Sequence, residues 1–309
     1  MKYLFYIKTT LILGLILRGG ISDAQTVLQV VTKSVERTVN CPTGFTLNID
    51  AEKADITLKA MPNIKEIKLK LELISKHPNL QNAKTDIDAM KYLINTSGKT
   101  IYIRNYVGIE KNSPKPNAEL RVRYTLFIPD YATISIKNNF GKLNISDLKA
   151  NLNLTAEFCK SSLVNIKGNM VLNVVLSDMQ GTGLDGDIKL QSSRSDIQLS
   201  ILRGTCDINA VSGKIRIDGD TDLSKLTINA QKADVFFMPP IANYMTYNLE
   251  AGFGKVILPS KIKLTYSEKS KNKEKINFNH HEPIANKKTG RSEITILTAF
   301  SNIEIGTKL

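Results

Sequence analysis

The sequence predicts an all-β protein: a β-solenoid with about 18 residues per rung, and an N-terminal β-rich lobe containing one short helix. Three observations predict it. Apolar residues alternate with polar ones in pairs, as at Ile188 and Leu190, and a second pair follows nine residues later at Ile197 and Leu199. The whole unit returns 18 residues on, with a small residue at one fixed position. Alternation with period two places the apolar side chains on one face of each strand.

Nine copies of this unit are present, and we name each copy by the first residue of its apolar pair. These residues are Leu47, Ile134, Leu152, Met170, Ile188, Cys206, Leu226, Tyr247 and Ile294. A third apolar position also recurs every 18 residues, at Leu148, Ile166, Leu184 and Leu202. Three inward-facing positions per turn predict a three-sided, β-helix-like coil filled by stacked side chains.

The turn between the two strands of a copy is equally regular, and we call its small residue the corner position. The corner residues are Ala54, Gly141, Cys159, Ser177, Ser195, Gly213, Ala233, Gly254 and Ser301. A polar residue follows each of them, and it is expected to face solvent. A small residue lets neighbouring copies approach closely, and glycine additionally permits a positive φ.

The corner motif, VSGKI at residues 211–215 and SRSDI at residues 193–197, resembles that of bacterial adhesin-like β-solenoid domains of unknown function. Such domains are common in exported proteins of the Bacteroidetes type. The resemblance covers residues 40–60 and 118–307. Because the motif is repetitive, it implies an architecture and brings no functional residues with it.

The N-terminus has the layout of a secretory signal peptide. Lys2 and Lys8 precede an apolar run over residues 9–17, and small residues before position 25 predict cleavage between Ala24 and Gln25. The apolar run is too short to span a bilayer, and no later run has the ~20 apolar residues that a spanning helix needs. The mature chain is therefore expected in the periplasm or at the cell surface, without a transmembrane segment.

Three parts follow from these patterns: the signal peptide (1–24), the β-rich lobe with the first copy (25–131), and the solenoid (132–309). Within the lobe, alternation predicts strands at residues 67–73, 101–103 and 120–128. Helical spacing of Ile87, Met90 and Leu93 predicts an amphipathic helix between residues 78 and 93. The lobe is expected to cap the solenoid and to cover its strand edges.

A basic segment at residues 267–292 interrupts the last repeats and is predicted to be a solvated loop. The alternative is a cationic grip on an acidic glycan or a lipid headgroup. The residues that would contact such a ligand are Lys269, Lys271, Lys273, Lys275, Lys287, Lys288 and Arg291.

The chain is basic, with 42 Lys and Arg against 29 Asp and Glu. A basic excess fits nucleic acid, anionic lipid or acidic polysaccharide. Export argues against nucleic acid, as does the absence from the sequence of a cluster of basic and aromatic residues that could stack on bases.

Two groups of residues have some of the features of a metal site. His280 and His281 are adjacent, but adjacent side chains rarely converge on one ion, and no second cluster has zinc spacing. Asp218, Asp220 and Asp222 have the spacing that opens a calcium loop, yet leucine occupies the sixth position, where that loop needs glycine. No metal or other cofactor is predicted.

Neighbouring copies also place Asp185, Asp187, Asp196 and Asp207 near one another, and paired carboxylates could cleave a polysaccharide. Lysines and asparagines are interleaved with them, and no aromatic platform for a sugar ring accompanies them. The sequence therefore predicts a non-catalytic, adhesin-like binding or structural module of the cell envelope, with an envelope protein or an acidic glycan as partner. The alternatives are an envelope-stress or regulatory protein that binds another protein, and a polysaccharide-active enzyme.

Overall fold

The computed structural model of the protein describes residues 27–109, 114–240, 244–259, 262–280 and 291–306. The predicted signal peptide and its cleavage point lie outside these residues, as do His281, Lys287 and Lys288. Within the described ranges, no helix is long and apolar enough to cross a membrane.

The described chain is all-β, as predicted, with one short helix, and its strands join in one large mixed sheet. The helix α1 spans Leu80–Asp86, and a 3₁₀ turn follows at Ile87–Ala89. The strands are β1 (Gln29–Asn40), β2 (Thr46–Glu52), β3 (Ala54–Met61), β4 (Glu66–His77), β5 (Met90–Ser97), β6 (Thr100–Val107), β7 (Glu119–Pro129), β8 (Thr133–Ser146), β9 (Leu152–Lys167), β10 (Met170–Val175), β11 (Asp178–Met238), β12 (Tyr244–Gly252), β13 (Val256–Ile257), β14 (Tyr266–Ser270), β15 (Lys273–His280), β16 (Arg291–Ala299) and β17 (Ile303–Ile305).

The central copies pair in parallel with the 18-residue period of the sequence. Ile134 pairs with Leu152, Leu152 with Met170, and Met170 with Ile188. Parallel pairing at this offset puts equivalent side chains side by side, so the apolar residues form columns. All four of these residues are buried, and columns of this kind make up the core.

The copies do not follow one another in space in the order of the sequence. Strand β16 lies between β11 and β12, so the Ile294 copy pairs with both Leu226 and Tyr247. The last copy in the chain is therefore an inner one, whereas the solenoid was predicted with its copies in chain order.

The predicted strands of the N-terminal lobe are β4, β6 and β7, and they extend the sheet of the repeats. Strands β6 and β7 pair in parallel with β2 and β3 of the first copy, while β5, β4 and β1 add antiparallel strands at the outside. The helix is shorter than predicted because Met90 begins β5, whose hydrogen bonds to β6 replace further helical turns. Strand β1 was not predicted, since its apolar residues Val31, Val35 and Val39 recur every fourth residue.

The prediction that the basic segment is a solvated loop is wrong for its first half. Residues 266–280 are a β-hairpin of β14 and β15, and β15 pairs antiparallel with β12, so this half of the segment is not a loop. Ile276 and Phe278 are buried, and the Phe278 ring stacks on Tyr247 with centroids 4.2 Å apart. The lysines gave the segment a solvated appearance, but they alternate with these apolar residues on the outer side of a packed strand.

Close contact between copies explains the small corner residues. A Cβ atom on Gly213 would lie 2.1 Å from the Ser195 carbonyl oxygen, and one on Gly254 would lie 1.9 Å from that of Ser301. Where the corner residue is serine, its hydroxyl also joins the copies: the Ser177 Oγ accepts a 2.8 Å hydrogen bond from the Cys159 backbone N–H.

We predict that Gly213→Val lowers the free energy of unfolding by about 1–3 kcal/mol, because the added side chain must displace the neighbouring backbone. Lys214→Val, at the next and exposed residue, should change it by less than about 0.5 kcal/mol. Urea unfolding of both variants checks this. Equal midpoints would contradict the assigned corner.

The second prediction concerns the hairpin. Phe278→Ala should lower the free energy of unfolding by about 3–5 kcal/mol, the usual range for a buried phenylalanine, whereas Lys271→Ala at the exposed turn should have almost no effect. Thermal and urea unfolding measure both. If Phe278→Ala proves as mild as its control, the hairpin is not packed on the core.

Candidate functional site

The residue just before each corner position has a left-handed backbone, with φ between 49° and 64°. These nine residues are Lys53, Phe140, Phe158, Leu176, Arg194, Ser212, Lys232, Phe253 and Phe300. The sequence analysis noted that a corner glycine permits a positive φ. Gly141 and Gly213 have one, but the position before the corner has it in every copy. Residues with a Cβ are disfavoured in this conformation, and bulky ones are outliers there.

Large apolar side chains occupy this strained position in three consecutive copies. Phe140 and Phe158 stack with centroids 4.7 Å apart and an interplanar angle of 5°. Their exposed fractions are 45% and 48%, and that of Leu176 is 40%. These side chains are thus disfavoured twice, by their backbone and by their exposure to water.

Four cations surround this apolar ridge and complete a surface depression of about 550 Å³, which we call the corner groove. Its side chains are Arg121, Phe140, Lys142, Phe158, Lys160, Leu176, Asp178 and Arg194, with the corner residues Gly141, Cys159 and Ser177 at its floor. Asp178 is the one carboxylate in this lining. The groove is therefore both apolar and cationic.

The cations of the corner groove are largely free of intramolecular partners. Lys142 and Lys160 are in-register neighbours on β8 and β9. Among the residues that the structure describes, neither forms an ion pair, and nor does Arg194. Arg121 pairs with Glu119 at 2.7 Å and with Asp55 at 4.0 Å. Like charges placed side by side on adjacent strands repel each other. A carboxylate residue flanks each lysine, since Asp55 accepts a 3.0 Å hydrogen bond from the Lys142 backbone N–H and Asp178 pairs in register with Lys160.

The corner groove continues across further copies. It shares Leu176 and Arg194 with a second depression, which in turn shares Ser193, Val211 and Gln231 with a third of about 550 Å³. The outer strand residues that line this third depression are mostly uncharged amides, and we call it the amide stretch: Asn173, Gln191, Asn209, Asn229 and Gln231. From the Ile134 copy to the Ile294 copy, six strand spacings of ~4.8 Å give a path of about 29 Å.

Some of the basic residues predicted to contact a ligand form ion pairs within the protein instead. Lys269 pairs with Glu274 at 3.3 Å and Lys273 with Glu250 at 2.9 Å. The Arg291 guanidinium lies 5.4 Å from the centre of the Tyr244 ring. Lys271 and Lys275 lie on the same hairpin, away from the corner groove, and a ligand contact by this segment stays a prediction.

The acidic residues singled out by sequence do not converge in the structure. Asp220 forms an ion pair with Arg203 at 2.7 Å, and Asp187 accepts a hydrogen bond from the Thr205 hydroxyl. Asp196 is exposed at its corner. The described residues contain no group of three or more His, Cys, Asp or Glu side chains that could hold a metal ion.

The three thiols are free and poorly suited to nucleophilic chemistry. Burial raises the pKa of Cys206 to about 12 and that of Cys41 to about 11, and it also raises the pKa of Cys159. A thiol reacts as its thiolate, so each of these cysteines is in its unreactive form at neutral pH.

Sequence reasoning missed the corner groove, where four cations and two phenylalanines come together. The signal was present one residue before the corner, where Phe140, Phe158 and Leu176 are 18 residues apart. Only the structure reveals that this position is left-handed and exposed, and that Arg121 comes from β7 to join it.

We predict that Phe158→Asn changes the free energy of unfolding by no more than about 1 kcal/mol. Asparagine tolerates the left-handed backbone, and this gain offsets a stacking contribution of about 0.5–1.5 kcal/mol. Phe278→Ala serves as the comparison, since it removes a ring from a buried stack. A loss in Phe158→Asn comparable to that of Phe278→Ala would mean that the ridge holds the fold together.

No protein-family profile matches the chain, and neither does any curated protein. Several solved structures are similar to it. A "putative adhesin" from Bacteroides fragilis has 9% identity and a TM-score of 0.41, with 89% of this chain and 97% of that one covered. A "putative lipid binding protein" from Parabacteroides distasonis has 10% identity and a TM-score of 0.43, with 89% and 96% covered.

A "putative cell adhesion protein" from Clostridium sporogenes has 13% identity and a TM-score of 0.26, with 89% of this chain and all of that one covered. The names of the adhesin structures agree with the resemblance that the corner motif indicates. Similarity this low carries no argument about what the chain binds.

Proposed function

We propose that the chain is an exported, non-catalytic binding module of the bacterial cell envelope, and that it holds an extended polysaccharide along the corner groove and the amide stretch. The observation that carries this proposal is the continuity of the depression, which crosses seven repeat copies. A long, shallow, open path of amides, hydroxyls and exposed rings suits a polar chain polymer better than a compact small molecule. The predicted signal peptide supports export.

The chemistry of the groove supports binding without turnover. Hydrolysis of a glycosidic bond needs two carboxyl groups that flank the bond. The corner groove has the single carboxylate Asp178 in its lining, and the amide stretch has none. A polymer held there would be left intact.

We also propose that the repeats coil as the three-sided solenoid that the sequence predicts. Positive φ angles support it, since they recur three times per copy: at Phe158, Asn165 and Gly168 in one copy, and at Leu176, Gly183 and Gly186 in the next. Such a coil gives the groove a rigid floor, which reduces the entropy lost when a polymer binds.

One observation favours the alternative, in which the chain binds another protein. Leu93, Tyr102 and Tyr106 are exposed by 49%, 42% and 44%. Their register on β5 and β6 puts them on one face of the hairpin. Exposed apolar residues in a group are typical of a protein interface.

The test incubates the chain from Gln25 onwards with a panel of neutral and acidic polysaccharides and measures binding by affinity electrophoresis. We expect retention of at least one polymer, and an unchanged polymer length in size-exclusion chromatography after prolonged incubation. Asp187→Asn and Asp196→Asn should bind as the unchanged chain does. A shortened polymer, with shortening lost in either variant, would establish the enzyme instead; no binding of any polymer would reject the proposed function.

A further inference from the structure

We infer that the corner groove is an anion site that binds the acidic groups of an acidic polysaccharide, through Lys142, Lys160 and Arg194 beside the Phe140–Phe158 stack. The inference rests on the proposed function and assigns the chemical class of its ligand. It also places the acidic groups at one end of the path, since the amide stretch is uncharged.

The first argument is the position of the apolar side chains. Gly and Asn are the residues that a left-handed, exposed corner prefers, yet the sequence has Phe, Phe and Leu at residues 140, 158 and 176. Exposed apolar side chains in a row mark a contact surface.

The second argument is the charge. Four cations and one carboxylate line the groove, and Lys142, Lys160 and Arg194 are exposed without an ion pair among the described residues. The two stacked rings each cover a face of the other, so ring edges remain available to a ligand. These edges carry positive partial charge and add to the attraction for carboxylate or sulfate oxygens.

The third argument distinguishes a polysaccharide from a membrane. A lipid surface is broad and would contact the apolar ridge alone, whereas the depression continues from the ridge across further copies into amide side chains. Asn209 and Asn229 already bond to each other along it, and both can donate to or accept from sugar hydroxyls. The combination of anion site and amide path fits an acidic chain polymer.

The opposite end of the same row provides a matched control. Phe253 and Phe300 have the same left-handed backbone and stack at 4.8 Å. They are exposed by 60% and 54%. The residues after their corners are Lys255 and Asn302, so this second stack lacks adjacent lysines in register.

The experiment measures the affinity of the chain from Gln25 onwards for polygalacturonate by isothermal titration calorimetry, and for the same polymer after its carboxyl groups are reduced to alcohols. Dextran sulfate tests sulfate as the anion. We expect Lys142→Gln with Lys160→Gln to weaken polygalacturonate binding by about tenfold or more, and Phe158→Asn to weaken it as well. Lys214→Gln with Lys255→Gln, and Phe300→Asn, are the controls and should bind almost normally.

The inference is supported if the chain binds either anionic polymer more tightly than the reduced one, and if the double variant Lys142→Gln with Lys160→Gln loses this affinity. Equal affinity for polygalacturonate and its reduced form overturns it but leaves the polysaccharide function intact. If no polymer binds the chain, the proposed polysaccharide-binding function is itself overturned. Lysine-dependent binding to phosphatidylglycerol vesicles or to a single-stranded oligonucleotide, without polygalacturonate binding, would assign a different anionic partner and overturn the inference.

Discussion

The structure depends on the close approach of neighbouring backbones at the corners. At Gly213, a single added carbon would come within 2.1 Å of the next copy, and the other corners hold residues no larger than alanine, serine or cysteine. Small corners are compatible with the observed parallel register, and the register brings Leu152, Met170 and Ile188 into one buried column. The residue before each corner has no such restriction on its side chain, and there the sequence varies from lysine to phenylalanine.

The sequence predicted the features that follow from alternation and repetition. The strands of the central copies, the 18-residue register and the small corners all come from local patterns, which residues such as Ile188 and Ser195 carry directly. It could not predict that β16 lies between β11 and β12, since pairing between distant segments depends on packing. It also misjudged the basic segment, because Lys273 and Lys275 concealed the alternation of Ile276 and Phe278.

The candidate site is a consequence of the same geometry. One strained position per copy, repeated across parallel strands, produces a row of side chains, and we expect their identity to have little effect on stability. In three consecutive copies this position holds Phe140, Phe158 and Leu176. In the first two of them, the residue after the corner is a lysine, Lys142 or Lys160. A binding surface can therefore change along the row without disturbing the core. In the proposed site, the corner residue serves stability and the residue before it contacts the ligand.

The central claim is that the corner groove is the ligand site, and a crystal structure of the chain from Gln25 onwards with trigalacturonate tests it most directly. The account predicts electron density for the oligosaccharide along the groove. At least one carboxylate should lie within hydrogen-bond distance of the Lys142 or Lys160 Nζ atom, and the sugar should contact the Phe158 ring. An oligosaccharide bound only to the β14–β15 hairpin, or to the exposed face of β5 and β6, would contradict it.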